Sequence, residues 1–125
     1  MKPANALEVN AERLWATLDR AGEIGRFRGT GVRRLALTQE DKEVRDLFVG
    51  WVREAGCAVE VDPVGNIFAR RAATDNSLPA VAIGSHLDTQ ICGGKYDGAL
   101  GVLCGLEVLR SLNDRGIATR RPIEL

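Results

Sequence analysis

The chain has 125 residues, 45% of them apolar and 27% charged. That is the profile of one globular domain, long enough to bury a core without disulfide or metal staples. Its 17 basic and 17 acidic residues cancel, which argues against a nucleic-acid or anionic-membrane surface, since either needs a basic excess.

Three cysteines, Cys57, Cys92 and Cys104, are odd in number and form no C-x-x-C pair. They point to reduced thiols rather than a disulfide framework. No signal pattern opens the chain, and no apolar run approaches the roughly 20 residues that span a bilayer. The expectation is a cytoplasmic protein with no membrane partner.

In chain order, residues 1–10 read as a tail. Leu14, Trp15 and Leu18 recur at helical spacing between Ala11 and Ala21. A Gly- and Arg-rich connection follows, from Gly22 to Gly31. Thr38 with Asp41 three residues on fits a loose capping box. Val44, Leu47, Phe48, Trp51, Val52 and Ala55 then make one apolar stripe, with Trp51 read as core, and Gly56 is the natural stop. Strands are expected at 58–61 and 66–70, joined by the turn Asp62-Pro63-Val64-Gly65. Another loop spans 74–77. The short run Ala80-Val81-Ala82-Ile83-Gly84, apolar on both faces, predicts a strand buried under helices.

Gly98 to about Leu112 predicts a helix ended by Gly116. Its Gly98, Ala99, Gly101 and Gly105 suggest close approach to a sheet or ligand, because glycine otherwise costs helix stability. Pro122 to Leu125 begins a further strand, whose interruption is expected to leave an unpaired edge. Three basic pairs, Arg33-Arg34, Arg70-Arg71 and Arg120-Arg121, read as solvated element boundaries. The fold class is α/β, a layered sheet with flanking helices, without internal repeats.

Chemistry concentrates in Gly84-Ser85-His86-Leu87-Asp88-Thr89-Gln90 and Gly93-Gly94-Lys95-Tyr96-Asp97-Gly98. These segments follow a strand and precede a helix, where ligands gather in α/β sheets. His86 and Asp88, two apart, share a side on an extended backbone, and Asp88 suits the carboxylate that orients a metal-binding imidazole. Alone, a histidine after a strand is more often structural than metal-binding. Asp97 is either a helix N-cap or a metal ligand able to bridge two ions. Gly93-Gly94-Lys95 fails the phosphate-loop pattern, since Tyr96 stands where Ser or Thr is needed. Ser85 lacks the G-x-S-x-G elbow, and Cys92 reads as an incidental small residue.

The two segments, the second continued through Ala99-Leu100-Gly101-Val102, closely resemble the M20 metallopeptidase-like family in its amidase/hydantoinase/carbamoylase branch. Gly31-Val32-Arg33-Arg34-Leu35-Ala36-Leu37-Thr38 and Asp62-Pro63-Val64-Gly65-Asn66-Ile67 support the resemblance, which runs from about Arg13 to Leu125. Gly98-Ala99-Leu100-Gly101 after Asp97 is similar to the amidohydrolase branch rather than the peptidases. Ile91 and Cys92 depart from that branch, which often has Pro and Thr there.

The resemblance implies that residues 1–125 are the N-terminal part of a phosphorylase/hydrolase-like metallopeptidase catalytic domain, with the lid domain absent. It implies hydrolysis of linear amide or ureido C–N bonds, such as those of N-carbamoyl amino acids, at two divalent metal ions (zinc, or manganese, cobalt or nickel). His86 would be a terminal ligand, Asp97 the bridging one, and Asp88 the catalytic support of His86. The family's paired glutamates and two further histidine ligands are not among these residues; His86 is the sole histidine. The isolated chain is therefore expected to be inactive, its full-length parent a homodimer, and its partner a small ureido or amide substrate. The alternative is a non-catalytic α/β remnant or partner-binding module.

Overall fold

The computed structural model describes residues 7–125; for residues 1–6 the tail reading lies outside them. Helix α1 (Ala11–Glu23) starts at Asn10, whose side chain accepts the Arg13 N–H at 3.0 Å. This satisfies one of the donors that a helix start leaves unpaired. Leu18 and Ala21 are buried, but Trp15 is 55% exposed. It lies roughly 60° round the helix from Leu18, past the edge of the buried stripe, and meets Tyr96 edge-on at 5.9 Å.

Residues 22–31 do not form a plain connection. Strand β1 (Arg26–Phe27) pairs antiparallel with β2 (Gly31–Val32) through a turn with positive φ at Arg28 and Gly29. Strands of two residues leave no periodicity to read. Helix α2 (Gln39–Glu54) follows. The Thr38 hydroxyl accepts the Asp41 N–H at 3.4 Å, while the Asp41 carboxylate accepts the N–H of Leu37, one residue before the cap, at 3.0 Å. The reciprocal bond of a capping box is thus displaced by one position. Val44, Phe48 and Val52 are buried, and Trp51 and Ala55 pack on them half-buried. At Gly56 (φ 81°) the helix closes with Gly56 N–H to Arg53 O and Cys57 N–H to Val52 O. This double closure turns the chain out of the helix in a conformation that favours glycine.

Strands β3 (Ala58–Val61) and β4 (Ile67–Arg71) form the expected hairpin, with Ala58 opposite Arg70. Its turn is tied by Asp62, which accepts the N–H groups of Val64 at 3.0 Å and Asn66 at 2.8 Å, and the Asn66 side-chain amide at 2.7 Å. The Asn66 amide, with these N–H groups, holds the Asp62 carboxyl below the usual carboxylate range.

Strand β5 (Val81–Ala82), helix α3 (Ala99–Asp114) and strand β6 (Ile123–Glu124) complete a four-stranded mixed sheet of order β3-β4-β6-β5. Only β5 and β6 run parallel. Two expectations change here. β6 is not an open edge, because β4 and β5 flank it. The edges are β3 and β5, and both residues of β5 are exposed, with Val81 at 51%. A strand apolar on both faces suits burial, but among the described residues nothing covers β5, and only the following Ile83 packs on the core.

That core joins Val44, Phe48 and Val52 of α2, Leu103, Leu106 and Leu109 of α3, Ala69 of β4 and Ile123 of β6. The small residues of α3 make the predicted close approach. A Cβ at Gly105 would lie 2.6 Å from Leu125 and 3.0 Å from Ile83, and one at Gly101 would lie 2.9 Å from Ser85. No helix among the described residues is long and apolar enough to cross a membrane.

Candidate metal centre

The chain leaves β5 at Ala82 and runs without regular structure from Ile83 to the start of α3. This loop is held by β2 and the segment that follows it. Val32 and Gly93 exchange two backbone bonds at 3.0 and 2.9 Å, and the Thr89 N–H donates to Arg34 O at 2.7 Å. Its far end is fastened to α1, where Lys95 meets Asp19 at 2.5 Å and Tyr96 meets Trp15. Asp19 holds the Lys95 ammonium above its usual value. The loop therefore rests on two elements, each fixed by its own packing.

Within it, His86 Nδ1 lies 2.9 Å from the Asp88 carbonyl oxygen and 3.3 Å from Asp88 Oδ1. A carbonyl only accepts, so this contact assigns the Nδ1 proton to His86 and leaves Nε2 as the free lone pair. The side chains of His86 and Asp88 are 52% and 43% exposed. Asp88 thus reaches His86 as expected, but through its main-chain oxygen more closely than through its carboxylate.

Asp97 is exposed, and its side chain makes no hydrogen bond with any described residue. It does not cap α3: the cap position is Gly98, with φ 70° and no side-chain cap bond. Gly98 is also where the loop closes on His86. A Cβ at Gly98 would fall 2.3 Å from His86 Cε1 and 2.5 Å from each ring nitrogen, so the imidazole lies on bare glycine backbone. Asp97 is the residue immediately before this contact in the chain. Sequence reading took Gly98 for a helix residue; the positive φ and the flat contact with His86 explain why glycine stands there.

Beside this corner opens a cleft of about 350 Å³, with His86, Asp88, Ser85, Asp41, Arg45, Phe48, Ile67 and Val102 among its walls. Leu37 stands at its rim, 98% exposed and at φ 68°. In the sequence Leu37 and Asp41 have roles only in flanking motifs, and Arg45 has none.

A second residue also escaped the sequence reading. Arg34, expected at a solvated boundary, is fully buried. Its Nε donates to Leu87 O at 2.8 Å, and its Nη1 donates to Ala21 O and Ile24 O at 2.9 Å each. Burial pushes the guanidinium below its usual value, opposed by the Asp41 and Asp88 carboxylates. Only a buried run of main-chain carbonyls explains such a residue, and no sequence pattern announces one.

An imidazole nitrogen and a carboxylate are each donors that suit a divalent cation of the zinc class. Among the described residues no group of three or more His, Cys, Asp or Glu side chains comes together as a metal site.

No family model matches the chain. It is 49% identical over 121 residues to the N-carbamoyl-L-amino-acid amidohydrolase of Rhizobium meliloti, covering 97% of this chain and 29% of that protein. It is 34% identical to the ureidoglycolate hydrolase of Arabidopsis thaliana, covering 98% of this chain and 26% of that one. Its fold superposes with a TM-score of 0.94 on a hydantoinase/carbamoylase family amidase from Burkholderia ambifaria, at 54% identity over 96% of this chain and 30% of the other. The chain therefore spans under a third of the length of each of these relatives. Over that stretch, in sequence and in fold, it belongs to the hydantoinase/carbamoylase family of amidases, hydrolases of carbon–nitrogen bonds.

Proposed function

We propose that this chain contributes part of a two-metal centre that hydrolyses a linear amide or ureido bond, as on an N-carbamoyl amino acid or a related ureido acid. His86 would bind one cation through Nε2, and Asp97 would supply a carboxylate shared between two. Zinc, manganese, cobalt and nickel all accept such donors. Divalent cations held there would polarise the scissile carbonyl and lower the pKa of an attacking water.

The chain's own residues do the positioning. Asp88 holds the Nδ1–H of His86, so Nε2 faces outward as a lone pair. Gly98 lets the ring lie flat against the start of α3, beside Asp97. The cleft next to them offers apolar wall from Phe48, Ile67 and Val102 and polar groups from Asp41 and Arg45, a mixture suited to a small polar substrate with an apolar side chain.

The observation that carries this reading is the orientation of His86, anchored at one nitrogen and open at the other. Isothermal titration of the chain with zinc tests it. The wild type binds, and His86→Ala binds at least about tenfold more weakly; equal binding by the two would remove His86 from the site. Turnover needs more donors than the described residues bring together. The chain alone, with zinc, manganese, cobalt or nickel and an N-carbamoyl amino acid, is expected to release no product above the metal-only rate. Turnover above that rate would refute this part of the reading.

A second reading, a non-catalytic partner-binding module, is favoured by the bare edge of β5, where Val81 is half exposed. Metal binding by the wild type and its loss in His86→Ala would decide against it.

A further inference from the structure

We infer that Arg34 is the positioning residue of this centre, the group that fixes the main chain on both sides of Asp88 and so decides which nitrogen of His86 carries the proton. The inference rests on the proposed metal site for what His86 binds, but not for how the ring is held.

Arg34 grips the loop twice. Its Nε donates to the carbonyl of Leu87 at 2.8 Å. Its main chain exchanges bonds with Thr89, the N–H donating to Thr89 Oγ1 at 2.8 Å and the carbonyl accepting the Thr89 N–H at 2.7 Å. Leu87 and Thr89 are the two neighbours of Asp88. The carbonyl and carboxylate of Asp88 are the groups facing His86 Nδ1, so the ring's partner is set by where Arg34 holds the residues around it.

The other end of the side chain is anchored through Nη1, while Nη2 is buried without a hydrogen-bond partner among the described residues. Nη1 donates to Ala21 O and Ile24 O at the C-terminal end of α1, where a helix leaves carbonyls unpaired and favours a cation. Arg34 is fully buried and Thr89 is 6% exposed, so water does not compete for these bonds. The rigid body of α1 is thus linked through one guanidinium to the peptide that orients His86. The planar fork makes this possible, since Nε and Nη1 point to carbonyls of different elements at once. A lysine, with its donors on a single atom, cannot reach both.

His86 is the sole histidine of the chain, so 15N labelling of histidine yields the spectrum of one imidazole without assignment. The measurement uses the metal-free full chain, in buffer alkaline enough to keep the ring neutral. The wild type is expected to show the Nδ1–H form alone. Arg34→Lys should show both tautomers and bind zinc at least about tenfold more weakly, the scale on which groups that orient ligands act. Glu107→Ala, a destabilising change in the seam between α1 and α3, should keep the wild-type spectrum, which separates positioning from general loss of stability.

A wild-type ring protonated on Nε2, an Arg34→Lys spectrum identical to the wild type, or an equal mixture in Glu107→Ala would each overturn the inference. Should Arg34→Lys fail to fold, Thr89→Val carries the test. It frees the Arg34 N–H from the loop and leaves the guanidinium in place, and an unchanged tautomer there would equally overturn it. If the wild type binds no zinc, the metal reading fails, while the tautomer comparison still decides the role of Arg34.

Discussion

Two polar corners of this molecule treat their carboxylates in opposite ways. In the seam between α1 and α3, Glu107 is 1% exposed and saturated with donors. It accepts Arg13 Nε at 2.9 Å, Arg13 Nη2 at 2.7 Å, the Asn10 N–H at 3.0 Å and Ser111 Oγ at 3.1 Å. At the loop before α3, Asp97 is exposed and bonded to no described residue. The Glu107 charge, which serves the fold, is buried and paired, because an unpaired carboxylate there would cost several kcal/mol. A charge left open on an exposed loop costs little and is available to a ligand. Substitutions in the two corners should therefore separate stability from metal binding.

The largest loss of stability belongs to the interior that both corners share. Leu109 is fully buried in α3, and Leu109→Ala should cost about 2–5 kcal/mol through lost burial and the cavity left behind. The checking measurement is a fall in the denaturant midpoint with an unchanged slope. A cost below about 1 kcal/mol would mean that α3 does not centre the core.

Next comes Glu107→Ala, at about 2–3 kcal/mol. It removes charge-assisted hydrogen bonds, while Arg13, 29% exposed, can turn to water and to Asp114. The seam also predicts a pH dependence. Burial pushes the Glu107 carboxyl up, but the Arg13 side chain, the Asn10 N–H and Ser111 outweigh it and leave it below its ordinary value of 4.5. The folded pKa is depressed, so the unfolded chain takes the proton first as pH falls. The stabilisation is complete above 4.5 and is lost as pH drops through the folded value. Glu107→Ala should flatten this acid limb of a stability–pH curve; an unchanged limb would assign it to other carboxylates.

Gly98→Ala should cost about 1–3 kcal/mol, because φ 70° with ψ −52° is backbone that residues with a Cβ rarely adopt. It should reduce zinc binding more than that cost suggests, because the new methyl would displace the imidazole itself. Binding retained at the wild-type level would show that the ring is free to move.

How much of this contrast the sequence carried depends on the range over which each signal acts. Helices α2 and α3 and the β3–β4 hairpin were legible, because stripe, stop glycine and turn residues act within a few positions of one another. His86, Asp88 and Asp97 stood out for the same reason, as short motifs between a strand and a helix. Arg34 did not, since its three side-chain acceptors lie in α1, just after it and in the site loop, up to 53 residues away. Beside Arg33 it reads as one more surface charge. Glu107 was hidden likewise, with its partner Arg13 on α1, 94 residues distant. The exposure of β5 and of Trp15 depends on which surfaces lie alongside, and a local pattern cannot encode that.

The smallest effect on stability is the sharpest test of the comparison. Asp97→Asn changes an exposed side chain that caps no helix and bonds to no described residue, so stability should move by no more than about 0.5 kcal/mol. The amide keeps the shape and most of the volume of the carboxylate but loses the charge and the ability to bind two cations with two anionic oxygens. Zinc affinity should then fall at least about tenfold while the His86 imidazole spectrum stays as in the wild type, since the Nδ1 anchor is at Asp88. A change in tautomer would place Asp97 in the ring's own support. A loss of stability comparable to Glu107→Ala would mean that Asp97 is structural after all, and unchanged zinc affinity would remove Asp97 from the site.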